Sequence, residues 1–495
     1  MPSLLAGLLV FATSAAVLVL EILAGRILAP YVGDTLQTYT GIIGTVLAGI
    51  AVGTWLGGKL ADRYEPRLLL GPTIVLGGIL ALLVLPIVAL FGPALAGRDV
   101  AAIVFLSFVG FFAPAAVLSA VTPTVIKIQL ASLDETGRVV GRLSALGTAG
   151  AIVGTFATGF VLIAAFPTRP IVLGIGAALV GGGAVAWWAF GARRVPVPAL
   201  VAALAAATLG AVAPVPCELE SAYYCAQLVA DPERDSGRTL VLDALQHSYV
   251  DLDDPTHLEF AYTVVLDELL ATESPDDADV LHLGGGGFTL PRHLAATRPD
   301  STHVVVEVDP ALVDLARDEL GFDPDPEQVT VVVEDARLEV AERAGDAHAA
   351  VIGDAFGGLA VPWHLTTVEF LADVRAAMDP GGVYALNMID HPPLDFARAH
   401  AATLAAVFDH VAVLAPAERL AGEVGGNYVL AAADRPLDFD GILDGARERD
   451  VAWEATVGED LADWVGDAPV LTDDYAPVDQ LLTVQPVRER VSPFD

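Results

Sequence analysis

Two hydropathic rhythms divide the chain. From Leu4 to about Ala213, apolar runs near 4–24, 37–58, 68–91, 100–121, 143–165, 170–190 and 198–213 are broken by short charged loops. All but the last approach the roughly 20 residues that a helix needs to cross a bilayer core. The pattern therefore predicts about seven spans. The last run is short, alanine-rich and bounded by Pro196, Pro198, Pro214 and Pro216, which also fits a helix lying in the interface or re-entering. No basic region precedes the first run, so it reads as a retained helix rather than a cleavable signal. Gly49, Gly53 and Gly57 recur at four-residue spacing, and Gly150, Gly154 and Thr158 repeat the pattern in the fifth run. Such faces let helices approach closely in lipid.

After Pro216 the pattern changes. YYCAQLV, RTLVLDAL and HSYVDL alternate with period two and predict a small antiparallel sheet. A helix near Leu258 to Ala271 follows, and then strands alternate with helices: VLHL, a helix over Thr289 to Thr297, HVVVEVD, VDLARDEL, VTVVV, ARLEVAERA, AAVIGDAF, TVEFLADVRAAM and VYALNMI. That alternation predicts a doubly wound α/β domain with a parallel sheet, Rossmann-like and of methyltransferase type. The expected organisation is a multi-pass α-helical membrane domain over residues 1–216, a small β subdomain over 217–257, and an α/β domain with a C-terminal tail over 258–495.

Charge sharpens the division. Of 62 acidic and 26 basic residues, 55 and 15 fall after residue 216, a net charge of about −40 there, and the only lysines, Lys59 and Lys127, lie before it. A nucleic-acid partner is not expected. The acids are spread over loops and helices, which fits a high-salt habitat, while a cationic partner such as a polyamine is the functional alternative. Lys59, Arg63 and Arg67, then Lys127, Arg138 and Arg142, then Arg193 and Arg194 mark one set of loops; the alternate set carries Arg26, Arg98 and Arg169. The first set is expected to be cytoplasmic. If the seventh run crosses, the acidic half emerges on the other side; if it lies in the interface, it does not. Glu21 sits near the end of an apolar helix, with Arg26 as its expected partner or with both reaching the interface. Cys217 and Cys225 either close a small disulfide loop or remain buried thiols.

The candidate chemistry gathers at strand ends. After VLHL comes the run Gly284 to Gly287, where a sharp turn admits a ligand without meeting a Cβ. Gly284, Gly285 and Gly286 are the candidate cofactor turn. Glu307 with Asp309 follows the second strand, Asp335 with Ala336 the third, and Asp354 the fourth. In one parallel sheet these positions converge on one cleft, and an acid about that far beyond a glycine turn holds ribose hydroxyls. Together they form an S-adenosyl pattern. No zinc, P-loop or serine-hydrolase spacing occurs, and no metal is expected.

In these residues the chain resembles the spermidine synthase family of polyamine aminopropyltransferases. The glycine turn GGGG, VEVDPALVDLAR, EDAR, GDAF and HLTTVEF, preceded by SAYY and LVLDALQHSYVDL, follow that family from about Ser221 to Ile389. The whole chain resembles a membrane-fused branch, through RILAPYVG, GGKLADR and a TDDYAPV segment. The resemblance implies that Glu307 holds ribose, Asp335 the adenine amino group, and Asp354 the reacting centre, where it accepts the amine proton. Two positions depart from soluble members, which carry acids where this chain has Gly287 and Gly357. The glutamine and Tyr-His pair of those members are replaced by His247 and by Tyr262-Thr263. His247, Tyr262 and His364 are candidate substrate contacts, and Asp473, Asp474 and Tyr475 are candidates to supply the missing acids from the tail.

The resulting expectation is a membrane-anchored transferase that moves an aminopropyl group from decarboxylated S-adenosylmethionine to a small-molecule amine, with a homodimer as an option. Methyl transfer from S-adenosylmethionine is the alternative within the cofactor class. A non-catalytic membrane protein with a degenerate S-adenosyl site is the alternative outside it.

Overall fold

The computed structural model describes residues 1–96, 100–130, 132–190, 195–358 and 360–483. Arg98, Arg193 and Arg194, which entered the loop-charge expectation, lie outside the described residues. The chain divides into two compact units, one from Met1 to Cys225 and one from Ala226 onward.

The first unit is helical. Among the described residues, six helices are long and apolar enough to cross a membrane: Ser3–Val32, Leu36–Arg63, Pro66–Ala94, Val100–Gln129, Thr136–Ala165 and Thr168–Phe190. The seventh apolar run forms the shorter helix Val197–Val212, whose 16 residues rise only ~24 Å. Helices alternate in direction, so the unit has two ends. At one, Lys127 pairs with Asp62 at 2.7 Å and Gln129 donates to the carbonyl of Met1. At the other, Arg169 donates to the carbonyls of Ala211 and Ala213, and Arg26 meets Glu220 at 3.3 Å. The helix Val197–Val212 therefore runs from the first end to the second. Of the two readings for Arg26, the pairing with Glu21 is not the one found: Arg26 faces Glu220 of the two-residue strand β1 (Leu219–Glu220), and Glu220 also accepts from the Thr168 amide at 3.0 Å. Glu220 lies 194 residues away in sequence, so this pairing is a tertiary contact that spacing along the helix does not encode. Cys217 and Cys225 form a disulfide at this second end.

Glycine faces set the close helix contacts. A Cβ on Gly53 would lie 1.9 Å from the Ala116 carbonyl oxygen, and one on Gly150 would lie 2.2 Å from that of Phe11. Backbone thus packs on backbone between the second and fourth and between the first and fifth long helices.

The second unit opens with a small antiparallel sheet of β2 (Cys225–Ala230), β3 (Gly237–Leu242) and β4 (Leu245–Asp251). The main sheet has eight strands: β5 (Asp279–Leu283), β6 (Thr302–Val306), β7 (Val329–Val332), β8 (His348–Gly353), β9 (Met378–Asp390), β10 (His410–Ala415), β11 (Gly426–Ala433) and β12 (Glu454–Val457). Their order is β12-β10-β11-β9-β8-β5-β6-β7. Strands β5 to β9 are parallel, with β5 flanked by β6 and β8, so the order reverses at β5. Alternate side chains enter opposite helical layers. Leu281 and Val351 pack with Phe370, Leu371 and Leu404 on one face, while Val280 and Ile352 pack with Leu266, Leu269 and Ile442 on the other.

The sheet is mixed rather than parallel throughout. Strand β11 inserts between β9 and β10, antiparallel to both. Strand direction depends on which partner a segment meets, and the strand-helix rhythm of the tail does not encode it. The insertion has a consequence for the site: the amino end of β11 lies against the carboxyl end of β9, with Asn427 opposite Ile389.

Candidate active site

The switch at β5 opens a crevice at the carboxyl ends of the parallel strands, where ligands of such sheets bind. Gly284 begins the turn with φ +104, and a Cβ there would sit 2.3 Å from the Asp354 carbonyl oxygen. No other residue fits. The turn is drawn onto Glu307, just past β6: one carboxylate oxygen accepts from the Gly285 and Gly286 amides at 2.9 and 3.0 Å, and the other accepts from the Asp309 amide at 3.0 Å. Glu307 is 6% exposed, and burial raises its pKa although these amides oppose the shift. Asp309 caps the helix Pro310–Glu319 through the Ala311 amide.

Gly287 has a local explanation. Its amide donates to the Ser248 hydroxyl at 3.0 Å, and a Cβ on it would lie 2.7 Å from the Ser248 Cβ. An acidic side chain there would collide with β4.

Beyond β7, Asp335 caps the helix Ala336–Glu342, accepting from the Arg337 amide at 2.9 Å, and its other oxygen lies 3.2 Å from His364 Nε2. Ala336 is the first residue of that helix. Arg337 makes a two-pronged contact with Asp473, at 2.8 and 2.6 Å, and also donates to the His364 carbonyl. Asp473 thus braces the Asp335–His364 corner of the crevice. Asp474 and Tyr475 follow it in a turn in which the Thr472 and Tyr475 backbones pair, and the Tyr475 ring is exposed. None of the three tail residues lines the cavity beside Asp354.

Asp354, past β8, is strongly perturbed. Burial pushes its pKa up to about 6, and two hydrogen bonds pull it back: from Asn387 Nδ2 to Oδ1 at 2.9 Å, and from the Tyr262 hydroxyl to Oδ2 at 3.3 Å. Asn387 is held in turn by Asn427, whose Nδ2 donates to Asn387 Oδ1 at 2.9 Å. Tyr262, Asn387 and Asn427 line a cavity of about 420 Å³ together with His247, Glu259 and Arg419. His247 stands edge-on to Phe356 at 6.0 Å, and burial pushes its pKa down to about 4, which leaves it neutral. Among the described residues, no group of three or more His, Cys, Asp or Glu is placed to hold a metal ion.

Asn387, Asn427, Arg419 and Ser248 did not stand out in the sequence. A signal existed for Asn387, the one polar residue in YALNMI at a strand's carboxyl end. The others reach the site only through β11 and β4.

No family model matches the chain. A polyamine aminopropyltransferase of Chromobacterium violaceum is 30% identical over 141 residues, 28% of this chain and 53% of that protein. One of Pyrobaculum calidifontis is 32% identical over 166 residues, 32% of this chain and 54% of that protein. The chain thus spans about half the length of these relatives. The crystal structure of a probable spermidine synthase from Corynebacterium glutamicum matches with 27% identity and a TM-score of 0.50, covering 54% of this chain and 99% of that one. In sequence and in fold, the α/β unit of this chain is similar to polyamine aminopropyltransferases and to a probable spermidine synthase.

Proposed function

We propose that this protein is a membrane-anchored transferase that moves an aminopropyl group from decarboxylated S-adenosylmethionine to an amine. The observation that carries this reading is Asp354: a buried carboxyl with a pKa of about 6, clasped by Tyr262 and Asn387, which themselves line the neighbouring cavity of about 420 Å³. The glycine turn and Glu307 fit a nucleoside. Each Glu307 oxygen keeps acceptor capacity for a ribose hydroxyl beyond its backbone amides, and the glycines leave the approach clear. Asp335 and His364 would face the adenine.

The residues then divide the work. An amine is nucleophilic only when unprotonated, and a group with a pKa near 6 is ionised at neutral pH yet basic enough to take a proton during attack. Tyr262 and Asn387 fix both oxygens of Asp354, so its free lone pairs point in a set direction. The six apolar helices support anchoring in a bilayer, and the net charge of −36 supports a high-salt setting. Methylthioadenosine binding should survive Asp354→Asn, while transfer should fall by about a thousandfold. Undiminished transfer by that variant would remove Asp354 from the reaction.

Methyl transfer is the second reading, favoured by Gly287, where Ser248 leaves no room for an acid to hold a donor amine. Supplying methyl-labelled S-adenosylmethionine and propyl-labelled decarboxylated donor in parallel separates the two, because only one label reaches the acceptor.

A further inference from the structure

We propose that the acceptor cavity beside Asp354 takes an amine that also carries a carboxylate, an amino acid rather than a diamine, with Arg419 as the residue that selects it. The proposal rests on the transferase reading above and names the acceptor class of the same site.

Arg419 lines the cavity together with Tyr262 and Asn387, the two residues that hold Asp354. It belongs to the same hydrogen-bonded series: Asn387 donates to Asp354, Asn427 donates to Asn387, and Arg419 Nη1 donates to the Asn427 carbonyl at 3.1 Å. The Arg419 backbone is fixed as well, since its carbonyl accepts from the Tyr428 hydroxyl at 3.1 Å. The guanidinium lies on Gly426, whose φ is +149 and where a Cβ would come within 2.6 Å of Arg419 Cζ. A larger residue at 426 would push the charge away.

This guanidinium makes no ion pair among the described residues, and its Nε is buried without a hydrogen-bond partner among them. A planar fork of donors without a counter-charge, lining a cavity, is matched to a carboxylate. The remaining wall points the same way. Glu259 is the one acid among the lining residues, and it already meets His257 Nε2 at 2.9 Å. A diamine's far ammonium would meet a guanidinium in a partly desolvated space, which is repulsive; a carboxylate at that end removes the conflict.

The reaction balances without further reagents. The acceptor nitrogen lone pair forms the new N–C bond to the donor carbon beside the sulfonium. The C–S bond breaks, its electron pair stays on sulfur, and neutral methylthioadenosine leaves. The ammonium proton passes to the Asp354 carboxylate. Arg419 takes no part in bond changes and acts on acceptor binding.

The test uses the full chain in detergent at high salt with decarboxylated S-adenosylmethionine. The acceptors are 4-aminobutanoate and 1,4-diaminobutane, which differ only at the far end. Methylthioadenosine release measures turnover, and calorimetry with methylthioadenosine measures the nucleoside site separately. The amino acid is expected to give a kcat/KM about tenfold or more above the diamine. Arg419→Gln should reverse that preference through KM, with methylthioadenosine affinity unchanged, and Arg419→Lys should restore part of it. A wild-type preference for the diamine with intact methylthioadenosine binding overturns this proposal alone. So does an Arg419→Gln variant that loses both acceptors and methylthioadenosine equally, because Arg419 would then be holding the fold. Absence of methylthioadenosine binding and of release with either acceptor overturns the transferase reading beneath it.

Discussion

Asn387 Nδ2 lies 2.9 Å from Asp354 Oδ1, and this bond stabilises the charged form of a carboxyl that burial would otherwise neutralise further. Its effect should be visible in the pH dependence. If Asp354 must be ionised to accept a proton, the pH profile of kcat/KM gains a further tenfold loss per pH unit below about 6. Asn387→Leu removes a stabiliser of the carboxylate, so the midpoint should move toward neutral by about one pH unit. An unchanged midpoint would mean that another group sets the acid limb.

Buried histidines give the α/β unit a second, independent pH response. Burial holds His247, His303 and His400 down to about 4, and burial with the adjacent His303 also holds His282 well below the usual histidine value. Between pH 6.5 and 4 the unfolded chain binds protons that the folded chain refuses, so stability falls as pH falls through that window. Asp354 and Asp390, pushed up to about 6, act in the opposite direction by taking protons in the folded state, and they reduce the loss. With four histidines held down against two acids held up, the melting temperature at pH 5 should be lower than at pH 7.5 at constant salt. A melting temperature that rises on acidification would show that the acids dominate.

Gly53 offers a test of the helical unit. Its missing side chain lets the Ala116 carbonyl approach to 1.9 Å of where a Cβ would be, whereas a Cβ at Gly58 would meet nothing within 4 Å. Gly53→Val should force two helices apart and lower the melting temperature in detergent by several degrees, an effect of a few kcal/mol for a strained close contact. Gly58→Ala should leave it unchanged or raise it slightly, since alanine is the better helix former. Equal effects at the two positions would contradict the packing.

The disulfide between Cys217 and Cys225 lies at the end of the bundle opposite the Lys127–Asp62 pair. Basic loops favour the cytoplasm, and a disulfide favours an oxidising compartment. An impermeant thiol reagent added to intact cells should therefore label the two cysteines only after reduction. Labelling that requires lysis instead would place that end inside. The outward result would also require that an S-adenosyl donor reach the far side of the bilayer, which makes this measurement a direct constraint on the proposed function.

The sequence by itself determined the elements and the crevice. Apolar runs of bilayer length read as the six long helices because hydropathy is a local property. The strand-helix rhythm read as the doubly wound sheet because period and turn chemistry are local too. The helix Thr289–Thr297 and the acids at Glu307, Asp335 and Asp354 follow from the order of parallel strands, which the rhythm encodes. Tertiary structure alone decided the pairings between distant segments. It turned β11 antiparallel and so brought Asn427 and Arg419 to the cavity, directed Arg26 to Glu220 instead of Glu21, and used Asp473 to hold Arg337. Those choices depend on which charged or hydrogen-bonding groups compete for one partner in three dimensions, and no spacing along the chain records that competition.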